Sequence, residues 1–348
     1  MSVAIPLAIT AAVGRAAKRG VILKGGEWLD VLGRAKIIVL DKTGTLTYGS
    51  LAIIRTEIRE GLSEKHFWQA VGSAEKFSEH PVGRLAYTEA LKHTDRITDP
   101  LSIEVRSGMG IIAQTSEGPI TIGNDQLFQE SQLALPTHLQ TARGEGTGTS
   151  FHVFIKTQYA GSVMIADKPR PEAFASLQRL RAIGLSRIIM YTGDNARTAE
   201  AVSQQLGIQE VRAAMLPKDK LRELELLLPN GPVVMVGDGI NDAPALARSD
   251  VGIAMGGGGT AIASEAADIV ILSDNLSRLP EMIQLGRQTT SIIRWDMAIW
   301  AITNLVGFAL VFTGVIGPAL AAFYNFATDF LPLLNSARLF HQPSKQGK

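Results

Sequence analysis

Polar side chains follow three apolar runs of the sequence, each of a length typical of a buried strand. The first run ends at Asp41, the second precedes Thr192-Gly193-Asp194, and the third precedes Gly237-Asp238-Gly239. In an open α/β sheet the carboxyl ends of parallel strands meet at one edge, so we expect these side chains to lie close together. The sequence therefore predicts a polar site at that edge of a parallel sheet.

The residue types at this edge suit phosphoryl transfer. We expect Asp41 to attack the terminal phosphate of a nucleotide as the nucleophile. Thr192 and Lys220, which opens the helix between the second and third runs, would hold and neutralise the phosphoryl oxygens. Asp194 and Asp242 complete the predicted catalytic set.

Hard oxygen ligands in the same place predict a Mg²⁺ site. Its expected protein ligands are the carboxylates of Asp41 and Asp238 and the carbonyl of Thr43. Hydrolases of the haloacid-dehalogenase-like fold usually carry a second aspartate at the position of Thr43, where it acts as general acid and base. A hydroxyl cannot do this at neutral pH, so we expect a phosphorylated Asp41 to persist.

Three strings of this sequence resemble the core motifs of P-type ATPases, the ion pumps that work through a phosphorylated aspartate. They are DKTGTLT at Asp41–Thr47, TGDN at Thr192–Asn195 and GDGINDAPAL at Gly237–Leu246. The resemblance implies ATP and Mg²⁺ as cofactors, with Gly193 and Asn241 in the binding site. It also implies a hinge between two domains at Asp167, Arg170 and Pro171.

Ser78-Glu79-His80-Pro81 resembles the SEHP segment in the nucleotide domain of heavy-metal-transporting P-type ATPases. The resemblance implies that His80 orients the bound adenine. It adds Glu75, Pro81, Gly108 and Gly110 as pocket residues, with the glycines allowing a close approach of the backbone to the nucleotide. The alternative for His80 is a loop histidine with a purely structural partner.

Hydrophobic periodicity and this resemblance together predict the fold. The class is α/β: a haloacid-dehalogenase-like doubly wound parallel sheet with an inserted α+β nucleotide-binding domain and a carboxyl-terminal transmembrane helical hairpin. The expected domains are the end of a membrane helix (1–13), the start of the phosphorylation domain (14–48), the nucleotide-binding domain (49–160), the rest of the phosphorylation domain (161–285), two transmembrane helices (290–340) and a cytoplasmic tail (341–348).

The composition is close to neutral but locally very apolar. The formal net charge is +1 and there is no cysteine, so neither a nucleic-acid partner nor a thiolate metal site is expected. No charged residue occurs from Met297 to Thr328. We predict helices at about Trp295–Val315 and Pro318–Leu334, in contact with lipid and with both basic flanks cytoplasmic. A buried helical pair of a soluble protein is the alternative.

The expected partner is a heavy-metal cation, transported across a membrane, most simply the plasma membrane. Asn304, Asn325 and Asp329, with Thr328 nearby, are candidate ligands of this ion, because polar groups within a membrane span are functional candidates. Hydrogen bonding between helices is the alternative for the two asparagines. Oxygen ligands without sulfur favour a harder divalent ion over copper(I).

The resemblance covers about Ala4 to Leu339 and corresponds to the later half of such a pump. No actuator loop with Thr-Gly-Glu and no Cys-Pro-Cys motif is found, so we expect this chain to bind ATP and phosphorylate Asp41 without transporting metal by itself. A missing amino-terminal half is a possible partner. The alternatives are a soluble phosphatase of the same fold, and a membrane-anchored ATP-binding subunit or relic. Gly144–Gly148 and Met255–Gly259 are predicted to be turns.

Overall fold

The computed structural model describes residues 3–134, 136, 148–239, 241–256 and 265–341. Nearly all of the predicted tail at 341–348 and most of the predicted turns at 144–148 and 255–259 lie outside these residues. The chain divides into two compact units. We call Met1–Leu46 with Arg170–Lys348 the core unit, and Thr47–Pro169 the inserted unit.

The strands of the described residues are numbered in chain order. They are β1 (Val21–Leu23), β2 (Ile37–Asp41), β3 (Thr47–Ile58), β4 (Ser102–Arg106), β5 (Gly110–Thr115), β6 (Gly118–Gly123), β7 (Thr149–Ile155), β8 (Gln158–Pro169), β9 (Arg187–Tyr191), β10 (Glu210–Arg212), β11 (Val233–Gly237), β12 (Val251–Met255) and β13 (Ile269–Ile271).

The α-helices are numbered in the same way. They are α1 (Ala4–Ala17), α2 (Glu27–Arg34), α3 (Glu64–Glu75), α4 (Pro81–His93), α5 (Asp125–Glu130), α6 (Ala173–Ala182), α7 (Ala196–Leu206), α8 (Pro217–Glu225), α9 (Ala243–Arg248), α10 (Arg278–Phe312) and α11 (Pro318–His341).

The sheet of the core unit has the order β1-β13-β12-β11-β2-β9-β10. Every pairing is parallel except that of β1 with β13. All residues of β2, β11 and β12 are buried, as expected for a parallel sheet covered by helices on both faces. The predicted doubly wound sheet is therefore confirmed, and β2 lies in its interior between β11 and β9.

Helix α10 begins inside the core unit, well before the predicted start at about Trp295. Its first part buries Leu279, Met282 and Ile283 in the main hydrophobic core. It also crosses α2 at a point where the two backbones touch. A Cβ on Gly33 would lie 2.8 Å from the carbonyl carbon of Gly286, so only glycine fits there. The helix then continues without a break to Phe312.

The inserted unit is a six-stranded antiparallel sheet with the order β3-β8-β7-β6-β5-β4. Helices α3 and α4 supply Phe67, Trp68 and Ala86 to a core shared with the inward side chains of the sheet. The predicted boundary at residue 160 falls inside β8. The unit extends to Pro169 because β8 pairs with β3 along its length, from Ile58 opposite Gly161 to Thr47 opposite Pro169.

The predicted helical pair at the carboxyl end is present as α10 and α11. Among the described residues, α10 is the one helix that is long and apolar enough to cross a membrane. Helix α11 does not reach the same hydropathy, because it carries Asn325, Asp329 and Asn335 among its apolar residues. Its role as a second span therefore stays a prediction. Helix α1 is apolar but shorter.

Candidate active site

Asp41 is the last residue of β2, at the carboxyl edge of the core sheet. The strand register sets its neighbours: Asp41 lies opposite Tyr191 of β9, and Leu40 lies opposite Val236 of β11. The loops that follow β9 and β11 therefore begin on either side of Asp41. The three groups of polar residues expected at one edge of the sheet are brought together there.

Lys220 joins two of the predicted catalytic carboxylates. It lies in the first turn of α8, and its ammonium group is 2.6 Å from Asp41 Oδ1 and 2.6 Å from Asp242 Oδ1. All three side chains are buried, with 4%, 5% and 1% exposure for Asp41, Lys220 and Asp242. Such short charge-assisted hydrogen bonds at low exposure fix the position of Asp41, the predicted nucleophile.

The negative charge at this site exceeds what one lysine can neutralise. Burial, followed by the charge of Asp242, raises the pKa of Asp41 to about 7, although Lys220 acts in the opposite direction. Burial also raises the pKa of Asp242. Burial acts to lower the pKa of Lys220, but the two carboxylates outweigh it and raise that pKa. A further cation close to Asp41 and Asp242 would therefore be electrostatically favourable.

The geometry of the same carboxylates fits Mg²⁺. Asp242 Oδ2 is buried and has no hydrogen-bond partner within the described part of the chain. Asp238 lies against the loop after Asp41, since a Cβ on Gly44 would be 2.7 Å from Asp238 Oδ2. Gly44 has a φ of +75° and follows the exposed Thr43. The carboxylates and the Thr43 carbonyl, close to the Asp242 oxygen that has no hydrogen-bond partner, form a set of hard oxygen donors.

A second buried lysine, absent from the predicted site, fixes the loop after β9. Lys42 Nζ is 2.5 Å from a carboxylate oxygen of Asp194, and Lys42 is 4% exposed. Thr192 is also buried; its hydroxyl accepts a hydrogen bond from Asp194 N, and its carbonyl accepts one from Met215 N. These bonds hold Thr192, whose hydroxyl is expected to contact phosphate, directly after Tyr191, the residue opposite Asp41.

Arg170 fastens the loop that follows Asp41. Its guanidinium donates to the carbonyls of Thr45 at 2.8 Å and Gly44 at 3.0 Å. It also donates to the carbonyl of Asp274 at 3.0 Å and pairs with the Asp274 carboxylate at 2.5 Å. Arg170 is 3% exposed. The structure thus gives this predicted hinge residue a loop-positioning contact within the core unit.

Asp167, a second predicted hinge residue, belongs to the inserted unit. It lies in β8, where its carboxylate accepts hydrogen bonds from Gly49 N at 3.0 Å and from the Thr47 hydroxyl. These contacts close the irregular start of the β3–β8 pair. Pro171, the third predicted hinge residue, is exposed, as are Gly193 and Asn241 in the loops after β9 and β11.

Glu75 forms a compact group with Ser78 and Gly83 in the inserted unit. The Glu75 side chain is buried, and burial raises its pKa. A hydrogen bond from Ser78 acts in the opposite direction but is the smaller effect. A Cβ on Gly83 would lie 2.1 Å from Ser78 Oγ and 2.2 Å from Glu75 Oε2. Gly83 therefore leaves the space in which these two polar side chains sit. It was not among the predicted pocket residues.

His80 caps α4 and remains exposed. Its Nδ1 accepts a hydrogen bond from Val82 N at 3.3 Å, and Pro81 occupies the first helical position. In the neutral ring this leaves Nε2 as the donor. The capping contact gives His80 a structural role and holds the imidazole at the surface, where an aromatic base could stack on it.

Gly108 lies in the tight turn between β4 and β5, and Gly110 is the first residue of β5; their φ values are +73° and +146°. The Gly108 carbonyl accepts a hydrogen bond from Asn124 Nδ2 at 3.0 Å. A Cβ on Gly110 would be 2.1 Å from the carbonyl oxygen of Ile122, so Gly110 is required by backbone packing. Gly108 faces open space and is the one of the two that a ligand can approach.

The candidates for the transported ion lie on the last two helices. Asn304 Nδ2 donates to the carbonyl of Trp300 on its own helix at 2.8 Å. The Thr328 hydroxyl likewise donates to the carbonyl of Tyr324. Asn325 is exposed and Asp329 is half-buried. Their role as ligands stays a prediction.

Four residues of these sites were missed from the sequence: Lys42, Gly44, Gly83 and Asp274. Lys42 and Gly44 are inside the DKTGTLT string, so their proximity to the nucleophile was a usable signal. Gly83 is in the first turn after the SEHP segment. Asp274 has no sequence signal, because it reaches Arg170 only through the fold.

Comparison with known proteins gives a consistent result. A family model described as haloacid dehalogenase-like hydrolase matches residues 35–250. The chain is 37% identical to the cadmium, zinc and cobalt-transporting ATPase of Bacillus subtilis over 99% of this chain and 48% of that protein. It is 36% identical to the probable copper-exporting P-type ATPase V of Mycobacterium tuberculosis, over 97% of this chain and 44% of that protein.

Solved structures agree. The crystal structure of a zinc-transporting PIB-type ATPase in the E2.Pi state has a TM-score of 0.86 and 31% identity, covering 97% of this chain and 55% of that one. A structure reporting conformational changes in the catalytic domain of a CPx-ATPase upon nucleotide binding has a TM-score of 0.59 and 27% identity, covering 78% and 98%. The chain thus spans about half the length of the curated relatives it matches.

Proposed function

Because this chain belongs to the haloacid dehalogenase-like hydrolases and, within them, corresponds to the catalytic carboxyl-terminal portion of heavy-metal P-type ATPases, we propose that it transfers the terminal phosphoryl group of ATP to Asp41. The observation that carries the proposal is the buried Asp41–Lys220–Asp242 cluster at the end of β2. The phosphorylation would drive transport of a heavy-metal cation in the whole pump.

The step at Asp41 is an in-line displacement. A carboxylate oxygen of Asp41 forms a bond to the terminal phosphorus, the bond to the bridging oxygen breaks, and ADP leaves. Lys220 neutralises charge on the phosphoryl oxygens as it develops, and the Thr192 hydroxyl donates to one of them. Lys42 and Arg170 hold the loops that carry these groups.

Asp41, Asp238 and the Thr43 carbonyl would hold Mg²⁺, which supplies charge neutralisation to the phosphate groups. The excess of carboxylates over lysine and the orphaned Asp242 oxygen support this assignment. Thr43 provides no carboxylate to activate water, so the acyl phosphate is long-lived compared with that of a phosphatase.

The inserted unit would bind the nucleotide. Glu75 and His80 would contact the adenine, and the exposed Gly108 would let the backbone approach the ligand. Glu75, whose pKa is raised by burial, lies beside the small Gly83, and this supports a polar pocket at that point.

The membrane part of the proposal is that α10, and with it α11, crosses the bilayer with the core unit cytoplasmic. The cargo is a divalent heavy-metal cation, for which Asn304, Asn325 and Asp329 offer oxygen ligands. The named substrates of the relatives, cadmium, zinc, cobalt and copper, define the class of cation to test.

Phosphoenzyme formation tests the proposal. Detergent-purified protein is incubated with Mg²⁺ and terminally labelled ATP, quenched in acid and counted, with Asp41→Asn in parallel. We expect acid-stable, hydroxylamine-sensitive label that is absent from Asp41→Asn. Label that survives in Asp41→Asn would assign the phosphate to another residue, and folded protein that binds ATP without labelling would contradict the transfer step.

A further inference from the structure

Asp296 is a fully buried carboxylate at the start of the uncharged part of α10. It is 0% exposed and immediately precedes the uncharged run from Met297 to Thr328. An ionisable side chain beside such a segment is kept only where it has specific partners. Asp296 lies outside the phosphoryl-transfer cluster, and the mechanism above does not use it.

The partners of Asp296 come from the neighbouring helices. Asn335 Nδ2 of α11 donates to Asp296 Oδ1 at 2.8 Å. Ser336 Oγ, also of α11 and 0% exposed, is 2.6 Å from Asp296 Oδ2. The same hydroxyl is 2.9 Å from the carbonyl oxygen of Ala4 in α1. Ala4, Asp296, Asn335 and Ser336 thus connect α1, α10 and α11, and we call these four residues the three-helix tie.

Apolar packing surrounds the three-helix tie. Ala8 and Ala11 of α1 form a buried cluster with Leu339 of α11, against which Ile292 and Ile293 of α10 pack. Small residues let the helices approach closely, and water is excluded from their polar contacts. Hydrogen bonds in such surroundings have no solvent to compete with, so the loss of one partner leaves an unsatisfied group.

We propose that Asp296 is a positioning residue that fastens α10 to α11, while Ser336 fastens α11 to α1. Helices α1, α10 and α11 are then held together and move as one rigid part of the core unit. The inference depends on the helices alone and does not require phosphoryl transfer or transport.

The number of hydrogen-bond donors in the three-helix tie determines which substitutions at position 296 preserve it. The Ser336 hydroxyl has one proton, but two oxygens, from Asp296 and Ala4, lie within hydrogen-bond distance. An amide at position 296 would donate to Ser336 and still accept from Asn335, which frees the Ser336 proton for Ala4. We therefore expect Asp296→Asn to preserve the tie and Asp296→Ala to break its α10–α11 part.

Spin labels can measure the two parts separately, because the chain contains no cysteine. Exposed positions are Thr10 on α1, Ser291 on α10 and Leu334 on α11. The experiment uses two double-cysteine versions of the full chain in detergent, each read by pulsed electron resonance. Thr10→Cys with Leu334→Cys reports the α1–α11 distance. Ser291→Cys with Leu334→Cys reports the α10–α11 distance.

We expect each of the two alanine variants to change a different one of the two distances. Asp296→Ala removes the narrow α10–α11 distance peak and leaves the α1–α11 peak. Ser336→Ala removes the α1–α11 peak, while Asn335 preserves the α10–α11 peak. Asp296→Asn keeps both. General unfolding would broaden both distributions in every variant, so circular dichroism accompanies each sample. Unchanged peaks in both alanine variants, or loss in Asp296→Asn equal to that in Asp296→Ala, would overturn the proposal.

Discussion

Lys220 is a single ammonium group shared by two buried carboxylates, and this arrangement determines how the site responds to its surroundings. Without a bound cation, the pair Asp41 and Asp242 carries more negative charge than Lys220 neutralises. Lys220 thereby keeps Asp41 in place, although the charged form of Asp41 is electrostatically unfavourable there. Binding of Mg²⁺ to Asp41, as proposed above, would reduce this electrostatic penalty, so it would activate and stabilise the site together.

The first prediction concerns pH and stability. The pKa of Asp41 is about 7 in the folded chain and ~3.9 in an unfolded chain, so the folded chain binds the extra proton. Stability of the metal-free protein therefore falls as pH rises from about 4 to about 7. Asp41→Asn should lessen this fall by an amount on the order of 2 kcal/mol.

Thermal unfolding at pH 5 and pH 8 in a chelator measures this difference. Glu60→Gln, at an exposed carboxylate, is the matched control and should follow the unmodified protein. Added Mg²⁺ should raise the melting temperature at pH 8 in the unmodified protein and much less in Asp41→Asn. An equal loss of stability between the two pH values in Asp41→Asn and the unmodified protein would contradict the assigned pKa.

The second prediction concerns Lys42. Its ion pair with Asp194 holds the loop that carries Thr192, so Lys42→Met should lower phosphoenzyme formation by about tenfold to a hundredfold through misplacement of that loop. Asp194→Asn should act similarly, and the double variant should lose little more, because both changes break one interaction. The readout is the initial rate of label incorporation.

Lys36→Met is the control, since Lys36 is an exposed lysine just before β2, the strand that Lys42 follows. It should label at the rate of the unmodified protein. Additive losses in the Lys42 and Asp194 double variant would show that the two residues act separately.

Among the helices and strands, those whose patterns are purely local were predicted well. The apolar runs that end at Asp41, Tyr191 and Val236 are strands β2, β9 and nearly all of β11, because continuous burial gives them an unmistakable composition. The helix predicted to open at Lys220 is observed as α8, which begins earlier at Pro217, since Pro is favoured in a first turn.

The elements that depend on distant packing were predicted less well. The start of α10 was missed because its first turns bury their apolar face against α2 and therefore look like soluble sequence. The limit of the inserted unit was missed because β8 is defined by its pairing with β3. In the site, the residues predicted to be catalytic were chosen by their type and position in the sequence, whereas Asp274 and Gly83 make contacts that no local pattern reveals.

The third prediction concerns α4 and the nucleotide. Gly83→Ala introduces a Cβ within 2.2 Å of the present positions of Ser78 Oγ and Glu75 Oε2. The Glu75 carboxylate and the Ser78 hydroxyl can rotate away, but Ser78 Cβ would lie 2.6 Å from the new Cβ, so the backbone at Ser78 must shift and the pocket changes. We expect ATP affinity to fall by about tenfold, measured by calorimetry with the Asp41→Asn protein to prevent turnover.

Thr88→Ala, an exposed change on the same helix, should leave ATP affinity unaltered. An unaltered affinity in Gly83→Ala, with Glu75→Ala equally silent, would remove this corner of the inserted unit from the nucleotide site.

For the whole molecule, the decisive contrast is between exposed apolar residues on α10 and those on the core unit. Leu305 is 72% exposed on the apolar half of α10, and Leu226 is 64% exposed beside α8. A lipid environment would cover the first, whereas water suits a single leucine such as the second. The two leucines therefore respond differently to a charge if α10 enters a bilayer.

The fourth prediction uses this pair. Leu305→Arg should reduce the fraction of protein that resists alkaline extraction from membranes, because an arginine near the centre of a span costs about 2.5–3.5 kcal/mol on insertion scales. Leu226→Arg should have no effect on extraction. Equal extraction of the two variants would indicate that α10 is covered by protein instead of lipid.

The side-by-side ends of the inserted unit also bear on how the chain folds. Thr47 lies opposite Pro169, and Arg170 N donates to the carbonyl of Leu46 at 3.0 Å. Joining β2 to α6 across an unfolded segment of this length would require a loop-closure entropy of about 4 kcal/mol. An inserted unit that collapses first brings its own ends together and shortens that loop to a few residues. Synthesis from the amino terminus completes this unit before β9 and β11 exist, so the parallel sheet around Asp41 assembles last, on a chain whose longest detour has already closed.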